Sequence, residues 1–382
     1  MRRRRMDFHF TPDQLDLKKM VQEFVAKEIT PYALDMDKDG GMYPGLLQKL
    51  DETGLLNLVV PEEYDGPGLD TISIALMYEE LGKGCAGVAT SVAANALAGY
   101  PVMLLGTEEQ KRKFFSVINN GKLAAFALTE PGAGSDAGGV ATSAVKDGDD
   151  YILNGTKCFI TNAALAEIFV IFANTRKTAG IRGLTAFIVD RGTPGFTVGK
   201  EEEKMGIRAS NTCELVLENV RIPITNRIGR EGEGFKIAMK TLDSARPLVG
   251  AVSVGIAQAA FDLAVKYSKE RKQFDKPIAS FQLVQAMIAD MAMQIEASRL
   301  LVHKACWLRD RGLPFAKESA IAKCFASDAA MKVTTDAVQV MGGYGYSKEY
   351  QAEKYMRDAK IMQIYEGTNQ IQRLVIANNI LY

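Results

Sequence analysis

Residues 363–372, QIYEGTNQIQ, carry one acid, Glu366, followed by Gly367 and Thr368 and placed between an apolar run and the last helical stretch. A carboxylate in an apolar neighbourhood resists ionising until nearer neutrality, and an acid so tuned can remove a proton as a general base. In a solvated turn it would be an ordinary surface acid. Four other stretches have compositions that suit a ligand. In LTEPGAGSDAGG, residues 128–139, glycines allow close backbone approach while Thr129 and Ser135 add hydroxyls. The stretch is not a GxGxxG fingerprint and no βαβ unit surrounds it, which argues against a Rossmann nucleotide site; a plain domain connection reads the same way. FITN, residues 159–162, sets Phe159 two residues before Thr161. The ring can cover a planar cofactor and the hydroxyl can reach a ring nitrogen, although a strand end has the same composition. SKERKQFDKPI, residues 268–278, gathers Arg271, Lys272 and Lys276 around Phe274; cations suit a pyrophosphate and equally any helix C-terminus. VQVMGGYGYSKEY, residues 338–350, offers bare glycine backbone to a phosphate, or simply a helix C-cap and turn.

The elements that must hold these residues follow from periodicity. Residues 1–121 read as an all-helical domain: Thr11 is an N-cap with Pro12 at the first helical position, and Leu15, Met20, Phe24 and Val25 give a helical apolar face. YPGLLQKLDETGLL and TISIALMYEELGKG repeat the pattern and end in glycine. Between 122 and 230 the period shifts to two, and the pair Asn154–Gly155 predicts a hairpin turn in a small antiparallel β domain. From 231 to 382 long helices return, with Val284, Met287, Ile288, Met291 and Ile295 at three- and four-residue spacing and a stop at Gly312 and Pro314, so a helical bundle is expected. Methionines 287, 291 and 293 read as core filler, and His303 as a packed side chain without a ligand partner.

Composition narrows the function classes. The 382 residues contain 46 Lys+Arg and 46 Asp+Glu, so no net field draws the chain to nucleic acid or an acidic membrane. Five dispersed cysteines without a CxxC pair, and only two histidines, point to reduced thiols in a cytoplasm-like compartment and to no metal site. No apolar run reads as the roughly 18 residues of a membrane span, and no apolar leader opens the chain. The opening MRRRRM reads as an expression remnant or an early start before Met6.

Taken in order, LTEPGAGSD, FITN, LDSARP, GIAQ, ERKQF, QVMGGYGY, MRDAKI and IYEGTNQIQR resemble the acyl-CoA dehydrogenase family from about Met6 to Tyr382. The resemblance implies a mostly α fold with a central β domain: an N-terminal helical domain, an antiparallel β domain and a C-terminal four-helix bundle, assembled as a homotetramer with FAD at a subunit interface. It implies that Glu366 takes the α-proton of an acyl-CoA while the β-hydrogen leaves as hydride to the flavin, giving a trans-2-enoyl-CoA, with electrons passing to an electron-transferring flavoprotein. Leu128, Thr129, Phe159 and Thr161 would contact the flavin ring. Ser135, Asp243, Arg246 and Gly367 would line the substrate channel, and Ala93, Ala94 and Tyr100 the acyl tail. Arg271, Gln273, Phe274, Gln339, Gly342 and Gly343 of a neighbouring subunit would hold the pyrophosphate and adenine end, with Thr368 and Gln370 completing the cradle. Glycine ordinarily follows RKQF, where Asp275 stands here. Family members that place the base on an earlier helix do so at the position of Ala245, which leaves Glu366 as the base. The segments look most like short- and medium-chain enzymes. The same site run in reverse would be an enoyl-CoA reductase, and it could equally serve a cyclic or branched acyl-CoA; a non-catalytic DNA-associated flavoprotein on the same scaffold is opposed by the balanced charge.

Overall fold

The computed structural model describes residues 9–382, and the basic opening stretch lies outside the described residues. Thr11 Oγ1 accepts from the Gln14 N–H at 3.2 Å while Gln14 Oε1 accepts from the Thr11 N–H at 3.1 Å, so a capping box starts α1 (Pro12–Phe24) where the sequence sets it. α2 (Ala33–Asp39), α3 (Leu46–Glu52), α4 (Thr71–Gly84), α5 (Ala86–Leu105) and α6 (Glu108–Asn119) follow. α5 is buried nearly all round, from Ala86 to Val102. Against the expectation from the sequence, α5 and the later α7 (Gly234–Glu270) each hold an 18-residue window long and apolar enough to cross a membrane, but 72% of each window is buried inside the protein. Their apolar surface meets other helices and the sheet.

Eight strands form one sheet: β1 (Leu123–Ala127), β2 (Ser143–Asp147), β3 (Asp150–Thr161), β4 (Ala166–Asn174), β5 (Leu184–Asp190), β6 (Phe196–Glu201), β7 (Thr212–Pro223) and β8 (Arg227–Ile228). The order is β6-β7-β3-β2-β4-β5-β8, with β1 on β4. Most pairings are antiparallel, but β1 and β2 each meet β4 in parallel, making the sheet mixed. Asn154–Gly155 is not the hairpin turn the sequence suggests. Both residues lie inside β3, where the register with β7 shifts between Leu153 and Gly155, and the turn sits instead at Gly148, between β2 and β3. A bulge explains the pair. Gly155 has φ +153, and a Cβ there would stand 2.4 Å from Thr142 Oγ1, so a side chain is excluded while the extra residue bends the strand.

α7 then packs across α4 and α5 on one side and α9 (Ala316–Met341) on the other, joined by α8 (Gln282–Asp310). Between α7 and α8, β9 (Lys272–Gln273) and β10 (Lys276–Pro277) make a small hairpin whose two central residues, Phe274 and Asp275, have φ +52 and +61. Two left-handed residues define a type I′ turn, and aspartate tolerates that conformation where the family has glycine. α10 (Ala352–Met362) and α11 (Asn369–Leu381) close the bundle against α9.

Candidate active site

α10 ends at Met362 and α11 begins at Asn369, and Glu366 sits in the turn between them. Its φ is +53, followed by +91 at Gly367, where a Cβ would lie 2.6 Å from Gln372 Nε2. Two successive left-handed residues reverse the chain sharply, at a cost of about 1–2 kcal/mol for the non-glycine one. Several donors hold this geometry. Gln372 Nε2 donates to the carbonyls of Glu366 and Gly367 at 3.2 and 3.0 Å, Lys323 Nζ donates to Gly367 O at 2.8 Å, and Arg246 Nε donates to Glu366 O at 3.4 Å. Thr368 Oγ1 accepts from the Ile371 N–H and so caps α11. The Glu366 N–H has no protein acceptor among the described residues.

The Glu366 side chain borders a cavity of about 330 Å³ between α5, α7, the 128–139 loop and the end of β3. Its Oε2 is shut off from solvent and bonds to no protein group. Desolvation pushes the carboxyl up to about 7, against the opposing pull of the Arg246 and Lys323 cations. A carboxyl so placed is divided between its acid and base forms at neutral pH.

Arg246 owes its position to the next residue. Pro247 lies inside α7 and cannot supply the N–H that would bond the Asp243 carbonyl four residues back. Ser319 Oγ donates to that carbonyl instead, at 2.6 Å, while Arg246 Nη1 pairs with Asp243 Oδ1 at 2.6 Å. Burial lowers the proton affinity of Arg246 and raises that of Asp243.

The opposite wall is built by β3 and the 128–139 loop. The register of β3 shifts between Lys157 and Ile160, and Phe159, with φ +57, leaves the ladder and stands 63% exposed beside the cavity. Beneath it, fully buried Lys157 donates to Glu130 Oε1 at 2.7 Å and to Leu128 O at 3.2 Å, and the Cys158 N–H donates to Thr129 O at 3.0 Å. Glu130 also accepts from the Ala141 and Thr142 N–H groups. One buried ion pair therefore shapes the loop on which Leu128 and Thr129 ride.

Of the residues singled out in the sequence, Leu128, Thr129, Ser135, Phe159, Thr161, Arg246, Glu366 and Gly367 come together around this cavity, with Ala93 and Ala94 at its floor. Tyr100 does not: it is buried behind them, with the Arg309 guanidinium 4.7 Å above its ring. Arg271, Gln273, Gly342 and Gly343 gather in a second cavity of about 570 Å³, walled also by Tyr267 and Tyr344. Phe274 and Gln339 lie exposed beside that group, and the Gln339 carbonyl accepts the Gly342 N–H. Gln370 is exposed and, like Thr368, lines neither cavity. Among the described residues no cluster suited to a metal ion occurs. Gln372 and Glu130 lie inside the quoted stretches without having been singled out, and Lys157 and Lys323 lie outside all of them. Lys323 nevertheless had a signal: it falls in phase with Ala320, Ser327 and Ala330, on the buried face of α9.

The acyl-CoA dehydrogenase N-terminal, middle and C-terminal domain families match residues 11–122, 125–220 and 232–381. The chain is 49% identical to butyryl-CoA dehydrogenase from Megasphaera elsdenii, with a TM-score of 0.96 over 99% of this chain and 100% of that one. A chain from the structural work on the electron transferring flavoprotein of Acidaminococcus fermentans is 50% identical, with a TM-score of 0.96 over 98% of this chain and 100% of its own. The acryloyl-CoA reductase (NADH) of Anaerotignum propionicum is 46% identical over 383 residues, covering 100% of this chain and 97% of the reductase. With three domain families matched in order along almost its whole length, the chain belongs to the acyl-CoA dehydrogenase family.

Proposed function

We propose that this enzyme removes two hydrogens from the α and β carbons of a short straight-chain acyl-CoA, with FAD as its cofactor and Glu366 as its base. The observation that carries the reading is the shielded, unbonded Glu366 Oε2 at the edge of a largely apolar cavity. The residues present fit a flavin: a bulged-out aromatic at Phe159, the hydroxyls of Thr129 and Thr161, and the small residues of the 128–139 loop border one cavity with the base. Leu128, Thr129, Phe159 and Thr161 would hold the ring, and FAD, when bound, supplies the acceptor for the hydride that leaves the β-carbon.

The chain's own groups do the rest. Glu366, ionised, takes the α-proton. An α-proton of a thioester is far less acidic than a carboxylic acid, so charge that develops on the thioester oxygen must be stabilised as the proton leaves. The Glu366 N–H, lacking a protein acceptor, is available for that oxygen. Arg246 and Lys323 hold the turn through its carbonyls, so the base and this donor move as one unit. Ser135, at the cavity, and Asp243, which lines neither cavity but is paired with Arg246, would meet the arm of the substrate. Ala93, Ala94, Thr90 and Leu97 bound the acyl end.

The two cavities share no lining residue. As the family resemblance implies, a dinucleotide reaching out of the first would take Arg271, Gln273, Phe274, Gln339, Gly342 and Gly343 from a second copy, with Thr368 and Gln370 completing the cradle, in a homotetramer. An electron-transferring flavoprotein takes the electrons onward. The kinship with an acryloyl-CoA reductase favours, as a second reading, net flow toward the saturated thioester, since the same groups serve both directions. Five buried free thiols suit a reducing, cytoplasmic setting.

Anaerobic titration with straight-chain acyl-CoA thioesters from propionyl to dodecanoyl, and with isobutyryl- and cyclohexanecarboxyl-CoA, tests this. Bleaching of the oxidised flavin band strongest with the four-carbon thioester is expected. No bleaching with any member would overturn the reading.

A further inference from the structure

Lys323 is an unusual resident of a helix core. It lies on α9 with 0% of its surface exposed, and its Nζ bonds to two neutral oxygens, Gly367 O at 2.8 Å and Asn369 Oδ1 at 2.9 Å. No carboxylate stands within ion-pair distance of it among the described residues. A buried ammonium without a paired charge is costly, and methionine would fill the same space without that cost. The surroundings are nonetheless organised around it. Asn369 is locked with its carbonyl toward Lys323, because its Nδ2 donates to Cys324 O, Ser327 Oγ and Asp328 Oδ1. Gln363 Nε2 donates to the same Asp328 oxygen, and the Asn369 N–H to Gln363 O, so both ends of the Glu366 turn are tied to one face of α9. Burial lowers the proton affinity of Lys323 and the Glu366 carboxylate pulls it back up, while Lys323 in turn opposes the desolvation of Glu366.

We propose that Lys323 is a positioning residue for the base: its ammonium clamps the Gly367 carbonyl and so fixes the left-handed turn that carries Glu366. This rests on the assignment of Glu366 as the base. Arg246, the other cation near Glu366, is already partnered by Asp243. Arg246 exerts the larger pull on Glu366, and Lys323 adds to it without a paired carboxylate of its own. The remaining titratable groups packed about the turn are Tyr78 on α4, Tyr365 beside the base, Cys324 and Asp328 on α9, and Arg373 on α11, which pairs with Asp328 at 2.7 Å. The two tyrosines and the thiol are pushed up by burial and stay neutral near pH 7. Lys323 itself, lowered to about 8 by burial, keeps most of its charge at pH 7.

The test uses Lys323→Met, which removes charge and clamp, and Lys323→Gln, which removes the charge and keeps a donor. Infrared difference spectra of each protein against its own Glu366→Gln counterpart isolate the protonated Glu366 carboxyl, and its pH midpoint is read without turnover. Both variants are expected to raise that midpoint by about one unit. Both should also slow flavin reduction at pH 7 by about tenfold, with the rate recovering at higher pH, more fully in Lys323→Gln. A wild-type midpoint in folded, flavin-loaded variants overturns the proposal, as does failure of both variants to fold. Wild-type flavin reduction in Glu366→Gln would instead overturn the assignment of the base.

Discussion

Glu366 combines three unfavourable features in one residue: a left-handed backbone, a carboxylate oxygen without a partner and the shielding of that oxygen from solvent. Each costs stability, and the combination is what the proposed role as base would require. The cost has a definite pH signature. With the carboxyl raised to about 7 in the folded protein, the unfolded chain loses its proton first as pH rises from about 4.5, and stability falls until about pH 7, above which the penalty is full. Glu366→Gln escapes it. The variant should gain up to about 3 kcal/mol over wild type at pH 8, shrinking toward nothing near pH 4.5, in urea unfolding of the flavin-loaded protein; a pH-independent difference would count against a perturbed Glu366. The type of this residue and its glycine neighbour were legible in the sequence. Its clamps were not: Lys323 touches the turn through a backbone carbonyl and such a contact leaves no motif, while Gln372 closes the quoted stretch with no sign there that it holds two carbonyls.

At the scale of elements, irregular backbone was the hardest part to foresee. Asn154–Gly155 has the composition of a hairpin turn, yet a strand continues through it because Thr142 packs against the bare glycine. The same strand bulges again at Phe159, and this second irregularity brings the aromatic to the cavity. Helix starts and stops were plainer: Thr11 caps α1, and Gly312, with φ +63, follows the end of α8. Met291 fills the core as expected, whereas Met293 is 62% exposed; the spacing alone did not tell the two faces of α8 apart. His303 packs edge-on against Phe10. The loop carrying Leu128 and Thr129 depends on Lys157 and Glu130. Lys157→Met would leave Glu130 buried without its cation, and a loss of roughly 3–5 kcal/mol in thermal or urea unfolding is expected, with weaker flavin retention on dialysis. Unchanged stability together with full flavin retention would show that the ion pair does not shape the loop.

Across the whole molecule, the Glu366 turn is tied to the other layers through α10. Lys354 and Asp358, both buried on α10, pair at 2.6 Å, and Asp358 Oδ1 accepts the N–H of Ile207, a β-branched residue with φ +46. Arg357 of the same helix reaches Asp37 on α2 and the Met205 carbonyl. The N-terminal helices, the sheet and the bundle thus meet on the helix that leads directly into the Glu366 turn. The three-part texture of the fold could be read from periodicity, since the change from helical to alternating spacing reports which face each element buries. The mixed sheet could not, because alternation along a strand does not tell which neighbour it pairs with or in which direction, and the junction could not, because it depends on contacts between residues more than a hundred positions apart. The balanced charge likewise told of partners rather than of shape. The central claim is that Glu366 is the proton acceptor. Its most direct test is anaerobic rapid mixing of wild type and Glu366→Gln with butyryl-CoA, following flavin reduction and thioester binding separately. The account predicts retained binding with reduction slowed by roughly 10³-fold or more, and reduction at the wild-type rate would contradict it.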